Sequence, residues 1–361
     1  MKIGIVTFHF VNNFGGALQA YALKKTIMNK CGAAVAVVDY RNWFIRFTDT
    51  VRLFPITFNI SEFVSGLRTM AKRFSRVRKF KKFGLDEFEL TRIYRNVLSL
   101  RISPPNCDKY IFGSDQIWNP VLTFGVATPY FGGFVKDSND KFSYAPSFGS
   151  SRLPRIFKNK IRKCLLSFGN ISVREQSGIK LVASLTGRKA IQLIDPSFLP
   201  EQNEWNEIAV TPQIHGKYIL LYIMQHDESI YKYAQKLREK LGIQLVEISR
   251  YGYKPDFVDI SLVDIGPREF IGLFQNAACV CTNSYHGLSF SLIFEKKIYL
   301  IQCKRFTTRI NNLLELLHID MPDVSDTEEL QSMVYDKELV RNIVREEREK
   351  AVRYIKINLG T

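Results

Sequence analysis

Ala277-Ala278-Cys279-Val280-Cys281-Thr282-Asn283-Ser284-Tyr285-His286-Gly287-Leu288-Ser289-Phe290-Ser291-Leu292-Ile293-Phe294 reads as a short buried strand, a tight polar turn and a helix. Cys279, Val280 and Cys281 suit a strand covered on both faces, whereas Leu288, Ser291, Leu292 and the aromatics Phe290 and Phe294 recur at helical spacing. The polar atoms therefore gather at the strand-to-helix junction. In an open parallel sheet that junction lies at the carboxyl edge of the strands, where ligands bind, and the N–H groups of a starting helix favour an anion. His286, the titratable side chain of the turn, stands either beside that anion or as a helix cap.

The chain around this stretch has 361 residues, too many for one ordinary core and suited to two domains. Its 46% hydrophobic and 24% charged residues have the balance of a soluble globular protein. No run of about eighteen apolar residues occurs, and Met1-Lys2-Ile3-Gly4-Ile5-Val6 enters a strand instead of a signal peptide, so a cytoplasmic protein is expected. Cysteines 31, 107, 164, 279, 281 and 303 have neither paired metal-ligand spacing nor the density of a disulfide scaffold, so neither metal nor disulfides are expected.

The net charge of +16 is unevenly spread. Arg68, Lys72, Arg73, Arg76, Arg78, Lys79, Lys81 and Lys82 follow one another with no acid among them, while Leu67, Met70, Phe74, Val77 and Phe80 fall three or four apart. That is a basic amphipathic helix over 67–83. Such a helix either lies on an anionic membrane or packs its apolar stripe on its own domain and leaves the cations solvated. Nucleic acid is not expected as a partner, because no recognition motif or aromatic platform is legible.

At the start of the chain, strand Lys2 to Phe10, helix Ala17 to Asn29 and strand Ala33 to Tyr40 form a β-loop-α-β unit. Its loop holds Asn12 and Asn13, whose amides face the sheet edge, and Gly15 and Gly16, which let backbone N–H groups approach a ligand. It reads as a ligand cradle or a structural turn, and neither dinucleotide nor P-loop spacing is present. Lys109 to Gln116 again runs from an apolar strand into a polar edge, where Asp115 is placed to serve as a base, to hold a sugar or to cap a turn, with Gln116 beside it. Lys141 to Gly149 and Asn170 to Glu175 repeat the pattern, and Arg174 follows its strand directly, where a guanidinium grips a carboxylate or phosphate with two prongs. Ile191 to Phe198 closes the first domain, and Pro196, Pro200 and the polar run Glu201 to Glu204 mark a linker. A second alternation follows: strands 217–224, 243–249, the opening stretch and 297–302, with helices 227–241, 268–276, 309–317 and 337–357. The fold class is α/β, with two doubly wound parallel sheets.

These motifs resemble the bacterial and fungal polysaccharide pyruvyltransferases. The likeness runs through Asn13-Phe14-Gly15-Gly16-Ala17-Leu18-Gln19, Gly113-Ser114-Asp115-Gln116-Ile117-Trp118, Ser143-Tyr144-Ala145, Ser172-Val173-Arg174-Glu175, Asp195-Pro196-Ser197-Phe198 and Ser284-Tyr285-His286-Gly287. It implies two Rossmann-like domains facing a central cleft in the glycosyltransferase-B arrangement. The first, 1–198 with a basic helical insertion at about 45–90, would take the acceptor; the second, 205–335, the donor; and 336–361 would be a helix able to cross back to the first. It implies a cyclic pyruvate ketal made from phosphoenolpyruvate and two hydroxyls of a polysaccharide or lipid-linked sugar, with no cofactor beyond that co-substrate. It also implies a donor site that uses Arg174 and His286; the chain's own strand edges add Ser284, Tyr285 and Gly287 as expected donor contacts, Asp115 as a second catalytic group and Asn12, Asn13, Gly15, Gly16 and Gln116 as expected acceptor contacts. Where some members carry an arginine two residues before the histidine, this chain has Ser284, so that part of the phosphate clamp must come from elsewhere.

Phosphoenolpyruvate calls for fixed cations and oriented N–H donors more than an apolar pocket. Histidine titrates in the range that ketal formation needs. The alternative is a nucleotide-sugar glycosyltransferase on the same architecture, which would need a carboxylate for the ribose and finds only Glu247 and Glu295 near element ends of the second domain. A non-catalytic protein of anionic surfaces or glycans would explain the charge, but not four polar strand edges.

Overall fold

The computed structural model of the chain describes residues 1–51, 53–54, 60–224, 228–249, 255–301, 307–320 and 330–361. In order its elements are β1 (Lys2–Val6), α1 (Phe14–Cys31), β2 (Ala34–Val37), α2 (Trp43–Val51), α3 (Ile60–Glu87), α4 (Val97–Ile102), β3 (Lys109–Phe112), β4 (Lys141–Ser143), α5 (Arg155–Leu166), β5 (Ser172–Val173), α6 (Gln176–Thr186) and β6 (Ile191–Gln192). There follow α7 (Gln202–Asn206), β7 (Tyr218–Tyr222), α8 (Glu228–Leu241), β8 (Gln244–Ile248), β9 (Ile260–Leu262), α9 (Pro267–Asn276), β10 (Cys279–Thr282), α10 (Tyr285–Ile293), β11 (Lys297–Leu300), α11 (Thr307–Leu316) and α12 (Lys337–Leu359). They form two compact units, one of residues 1–49, 84–200 and 343–361 and one of residues 50–83 and 201–342.

The first unit is built on a parallel sheet in the order β2-β1-β3-β4. Its strands are almost wholly apolar because helices cover both faces, and Ile3, Ile5, Val6, Ile111 and Phe112 are completely buried. The parallel pair β5-β6 continues the sheet beyond β4 through two serines: Ser143 Oγ donates to the Ser172 carbonyl at 2.8 Å and Ser172 Oγ to the Ser143 carbonyl at 2.6 Å. Strand β1 stops at Val6, short of the expected Phe10, and α1 starts at Phe14 because Asn13 caps it, its Oδ1 accepting from Gly16 N at 3.1 Å. The end of α12 lies on this unit: Arg348 donates to the carbonyls of Phe198 at 2.5 Å and Pro200 at 2.9 Å, and Tyr354 to that of Ser143 at 3.1 Å.

The second unit carries five parallel strands in the order β11-β10-β7-β8-β9. Most of the basic segment belongs here, which corrects its reading as an insertion of the first domain: residues 50–83 pack with residues 201–342. Arg76 donates to the Ser249 carbonyl at 3.3 Å, Lys79 pairs with Glu269 at 2.6 Å, and the Arg268 guanidinium lies 5.9 Å from the Phe83 ring centre.

In both sheets the order of strand addition reverses once. The reversal falls between β1 and β3 in the first unit and between β7 and β10 in the second. Ligands of open α/β sheets bind at the carboxyl ends of the strands flanking such a switch point.

Candidate functional site

At the switch point of the first unit a buried polar network fixes the loop after β1 to the loop after β3. Thr7 Oγ1 donates to the Ser114 carbonyl at 3.0 Å and accepts from Gln19 Nε2 at 2.9 Å, while Gln19 Oε1 accepts from Ser114 N at 3.2 Å. Asp115 follows with φ at 62°, in the left-handed region, and its carbonyl accepts from Ser147 N at 2.8 Å. The carboxylate reaches the first turn of α1. A Cβ on Gly16 would stand 3.7 Å from Asp115 Oδ2, an ordinary contact distance, and a tighter 3.3 Å from the Phe8 carbonyl.

The other residues expected on the acceptor are braced from within. Asn13 is the α1 cap. Asn12 donates from N and Nδ2 to Asp49 Oδ2 at 3.2 and 2.7 Å, which ties its loop to α2. Gln116 Oε1 accepts from Asn119 Nδ2 at 2.9 Å. Gly15 and Gly16 are buried in the first turn of α1.

Sequence reading passed over one histidine at this edge. His9 is buried, with Nε2 3.1 Å from Asp39 Oδ1 and Nδ1 3.2 Å from the Thr7 carbonyl, so both ring nitrogens are engaged inside the protein. Arg41 grips the same carboxylate with two bonds of 2.7 Å. Burial pushes the Asp39 pKa up, but hydrogen bonds and charge from His9 and Arg41 outweigh it and hold the carboxyl down at about 2. The signal that could have found it was the position of His9 just past the apolar run of β1; its side-chain partner comes from the end of β2.

Arg174 stands at the carboxyl end of β5 and its two-pronged grip turns inward. Nε donates to Glu175 Oε1 at 2.9 Å and Nη1 to Asp195 Oδ2 at 2.7 Å, with all three side chains buried. Asp195 Oδ1 also accepts from Ser197 N at 2.9 Å, so the motif Asp195-Pro196-Ser197-Phe198 is the arginine's own anchor.

Ser284, Tyr285, His286 and Gly287 lie together at the switch point of the second unit. Ser284 caps α10, its Oγ accepting from Gly287 N at 3.3 Å, which commits the Gly287 amide to the helix. Ser284 N donates to Thr282 Oγ1 at 3.1 Å, and that hydroxyl donates to the Tyr222 carbonyl at 2.6 Å. A Cβ at Gly287 would fall 2.2 Å from Thr282 Oγ1, so only glycine lets α10 start this close to β10. His286 is 7% exposed, and its ring meets that of Tyr285 edge to face at 5.2 Å. Across the Tyr285 ring, 5.8 Å from its centre, lies the guanidinium of Arg309 in the first turn of α11. An imidazole, a phenol ring and a cation are thus grouped at the amino end of a helix, where the macrodipole favours an anion.

The family model for polysaccharide pyruvyl transferase matches residues 13–304 of this sequence, most of the chain, with Asp115, Arg174 and Ser284 to Gly287 inside the match. The chain belongs to the polysaccharide pyruvyl transferase family. No curated protein matches it in sequence. Among solved structures it is similar to S. aureus MnaA in complex with UDP, with a TM-score of 0.53 and 10% identity over 99% of this chain and 97% of that one. It is also similar to UDP-GlcNAc 2-epimerase from Neisseria meningitidis bound to UDP-GlcNAc, with a TM-score of 0.51 and 14% identity over 99% of both chains. At such identity the likeness concerns the fold alone: an α/β chain with two Rossmann-like parallel-sheet units.

The carboxylates that a nucleotide site would need in this family member are engaged. Glu247 is buried between the Tyr231 hydroxyl at 2.5 Å and the Ser261 hydroxyl at 3.3 Å, and burial pushes its pKa up despite both bonds. Glu295 pairs with Arg341 at 2.9 Å. Among the described residues no group of three or more His, Cys, Asp or Glu stands where it could hold a metal ion.

Proposed function

We propose that the protein transfers the pyruvyl group of phosphoenolpyruvate to two hydroxyls of a sugar in a polysaccharide or lipid-linked oligosaccharide, closing a cyclic ketal. The observation that carries this reading is the grouping of buried His286 with Tyr285 and Arg309 at the amino end of α10, in a chain of the polysaccharide pyruvyl transferase family. Arg309 takes the place of the clamp arginine that Ser284 lacks and meets the phosphate together with the helix end. His286 handles the protons. In the overall reaction two C–O bonds form at the central carbon of the donor and the bond to phosphate breaks. One hydroxyl proton ends on the methylene carbon, which becomes a methyl, and the other on the released phosphate. A histidine can pass protons in both directions near neutral pH, at a gain of roughly a hundred- to ten-thousand-fold in rate.

Asp115 is the group of the first unit assigned to the sugar hydroxyl. Arg174 serves by holding the strand ends around it through Glu175 and Asp195. The exposed cations of α3 are assigned to an anionic membrane surface, as a lipid-linked acceptor would require. The test is transfer itself: with phosphoenolpyruvate and a sugar acceptor, the wild type adds a carboxyethylidene group, read by mass, and His286→Ala folds normally but loses at least about a hundredfold in rate. Full turnover by a folded His286→Ala variant would remove His286 from the chemistry.

A further inference from the structure

Three large aromatic rings meet on the surface of the first unit. Trp43 and Phe44 open α2, and Phe124 stands at the tip of the loop after β3. Phe44 and Phe124 are stacked at 4.7 Å with 25° between their planes, and Trp43 meets Phe124 at 5.7 Å and Phe44 at 5.6 Å, edge to face. Trp43 is 61% exposed, Phe124 67%, and Phe47, one turn on from Trp43, 60%. Rings left this open lose the stabilisation that burial would bring, and a contiguous patch of them marks a binding surface.

Hydrogen bonds brace the segments that carry these rings. Phe124 has φ at 52°, a conformation that costs energy for a bulky residue, and the loop is closed behind it by Gly125 N donating to the Pro120 carbonyl at 2.7 Å. Thr123 Oγ1 lies 2.6 Å from the Gly125 carbonyl and 3.1 Å from that of Asn119. The polar residues expected to touch the acceptor are the struts of this arrangement: Asn12 grips Asp49 and so α2, and Gln116 grips Asn119 and so the loop. Because α2 follows β2 and the loop follows β3, the rings are carried on segments that leave the carboxyl edge of the sheet on both sides of β1, the edge from which Asp115 also follows β3.

We propose that Trp43, Phe47 and Phe124 are a stacking platform for the sugar rings of the acceptor. It rests on the sugar-acceptor half of the function proposed above. The π faces carry negative charge that attracts the C–H face of a pyranose, and stiff rings need little ordering on binding. Continuity with the edge that holds Asp115 is what selects a sugar as occupant, over a lipid surface or a second copy of the chain.

The test needs neither donor nor turnover. Of the three tryptophans, Trp118 and Trp205 are 1% and 0% exposed, so Trp43 reports alone to a quencher in solution. Acrylamide quenching is measured with a panel of neutral gluco-, galacto-, manno- and N-acetylglucosamine hexasaccharides, and at least one is expected to protect Trp43 in the wild type. Phe124→Gly, which suits the positive φ and keeps the loop, should weaken that protection roughly tenfold while leaving phosphoenolpyruvate affinity unchanged. No protection by any member of the panel, equal protection in Phe124→Gly, or protection that appears only with vesicles or with rising protein concentration would overturn the platform. Failure of the wild type to bind phosphoenolpyruvate would instead strike the donor reading and leave this result standing.

Discussion

Asp39, held by His9 and Arg41, shows how a single side chain at a strand end shapes the behaviour of the protein. With a carboxyl held down at about 2, against an ordinary value of 3.8, Asp39 favours the folded state wherever it is ionised. The stabilisation, about 2 kcal/mol, is complete above the unfolded value and is lost as pH falls through the folded one. Asp39→Asn should therefore cost about that much in urea melts at pH 7, with the gap to wild type closing between about pH 4 and pH 2; a gap independent of pH would show that the ion pairing contributes nothing. Arg174→Ala should cost more, about 3–5 kcal/mol, because it strands the buried carboxylates of Glu175 and Asp195. A loss near zero in thermal melts would show that these ion pairs do not hold the strand ends. At this scale the sequence told which residues stand at strand ends. It could not tell that Asn12, Gln116 and Arg174 bond to Asp49, Asn119 and Asp195, since those partners are set by packing and not by spacing.

The basic helix α3 was legible as a helix, but of the two readings of its stripe the one that packs all of it on its own domain does not hold. Its 3.6-residue period foretold one apolar stripe, Leu67 to Phe80, yet Leu67 and Phe74 are 48% and 40% exposed while Arg73 is buried, Nη1 donating to the Leu53 carbonyl at 3.1 Å. Lys79 and Arg76 also bond to groups of the second unit, Glu269 and the Ser249 carbonyl. The outer face joins Leu67, Phe74 and Leu85 with the exposed cations Arg68, Lys72, Arg78, Lys81 and Lys82. No helix of the described residues is long and apolar enough to cross a membrane, so the association expected of this face is peripheral. Each cation near an anionic surface contributes about 1 kcal/mol, weakened by salt. The protein should sediment with anionic vesicles at low salt, release at high salt and ignore neutral ones; reversing those five cations to glutamate should abolish binding and leave turnover of a water-soluble acceptor intact. Equal sedimentation with neutral vesicles, or none with anionic ones, would make the face a solvated one.

For the molecule as a whole, the alternation of strand and helix from Lys2 onwards was enough to foretell two parallel sheets, because a strand buried on both faces must read as an apolar run. The return of the last helix was legible, and residues 343–361 do join the first unit; the transfer of residues 50–83 to the second was not, because it is set by contacts distant in sequence. Strand β9 escaped notice because its three residues are only half-buried and carry no alternation. The charge of +16 favours an anionic ligand but does not choose one. The choice between the pyruvyl donor and a nucleotide sugar is decided by titration calorimetry of the wild type with phosphoenolpyruvate and with UDP. The account predicts that phosphoenolpyruvate binds, that its affinity falls with salt and in Arg309→Gln, and that UDP gives no heat; saturable binding of UDP with none of phosphoenolpyruvate would contradict it.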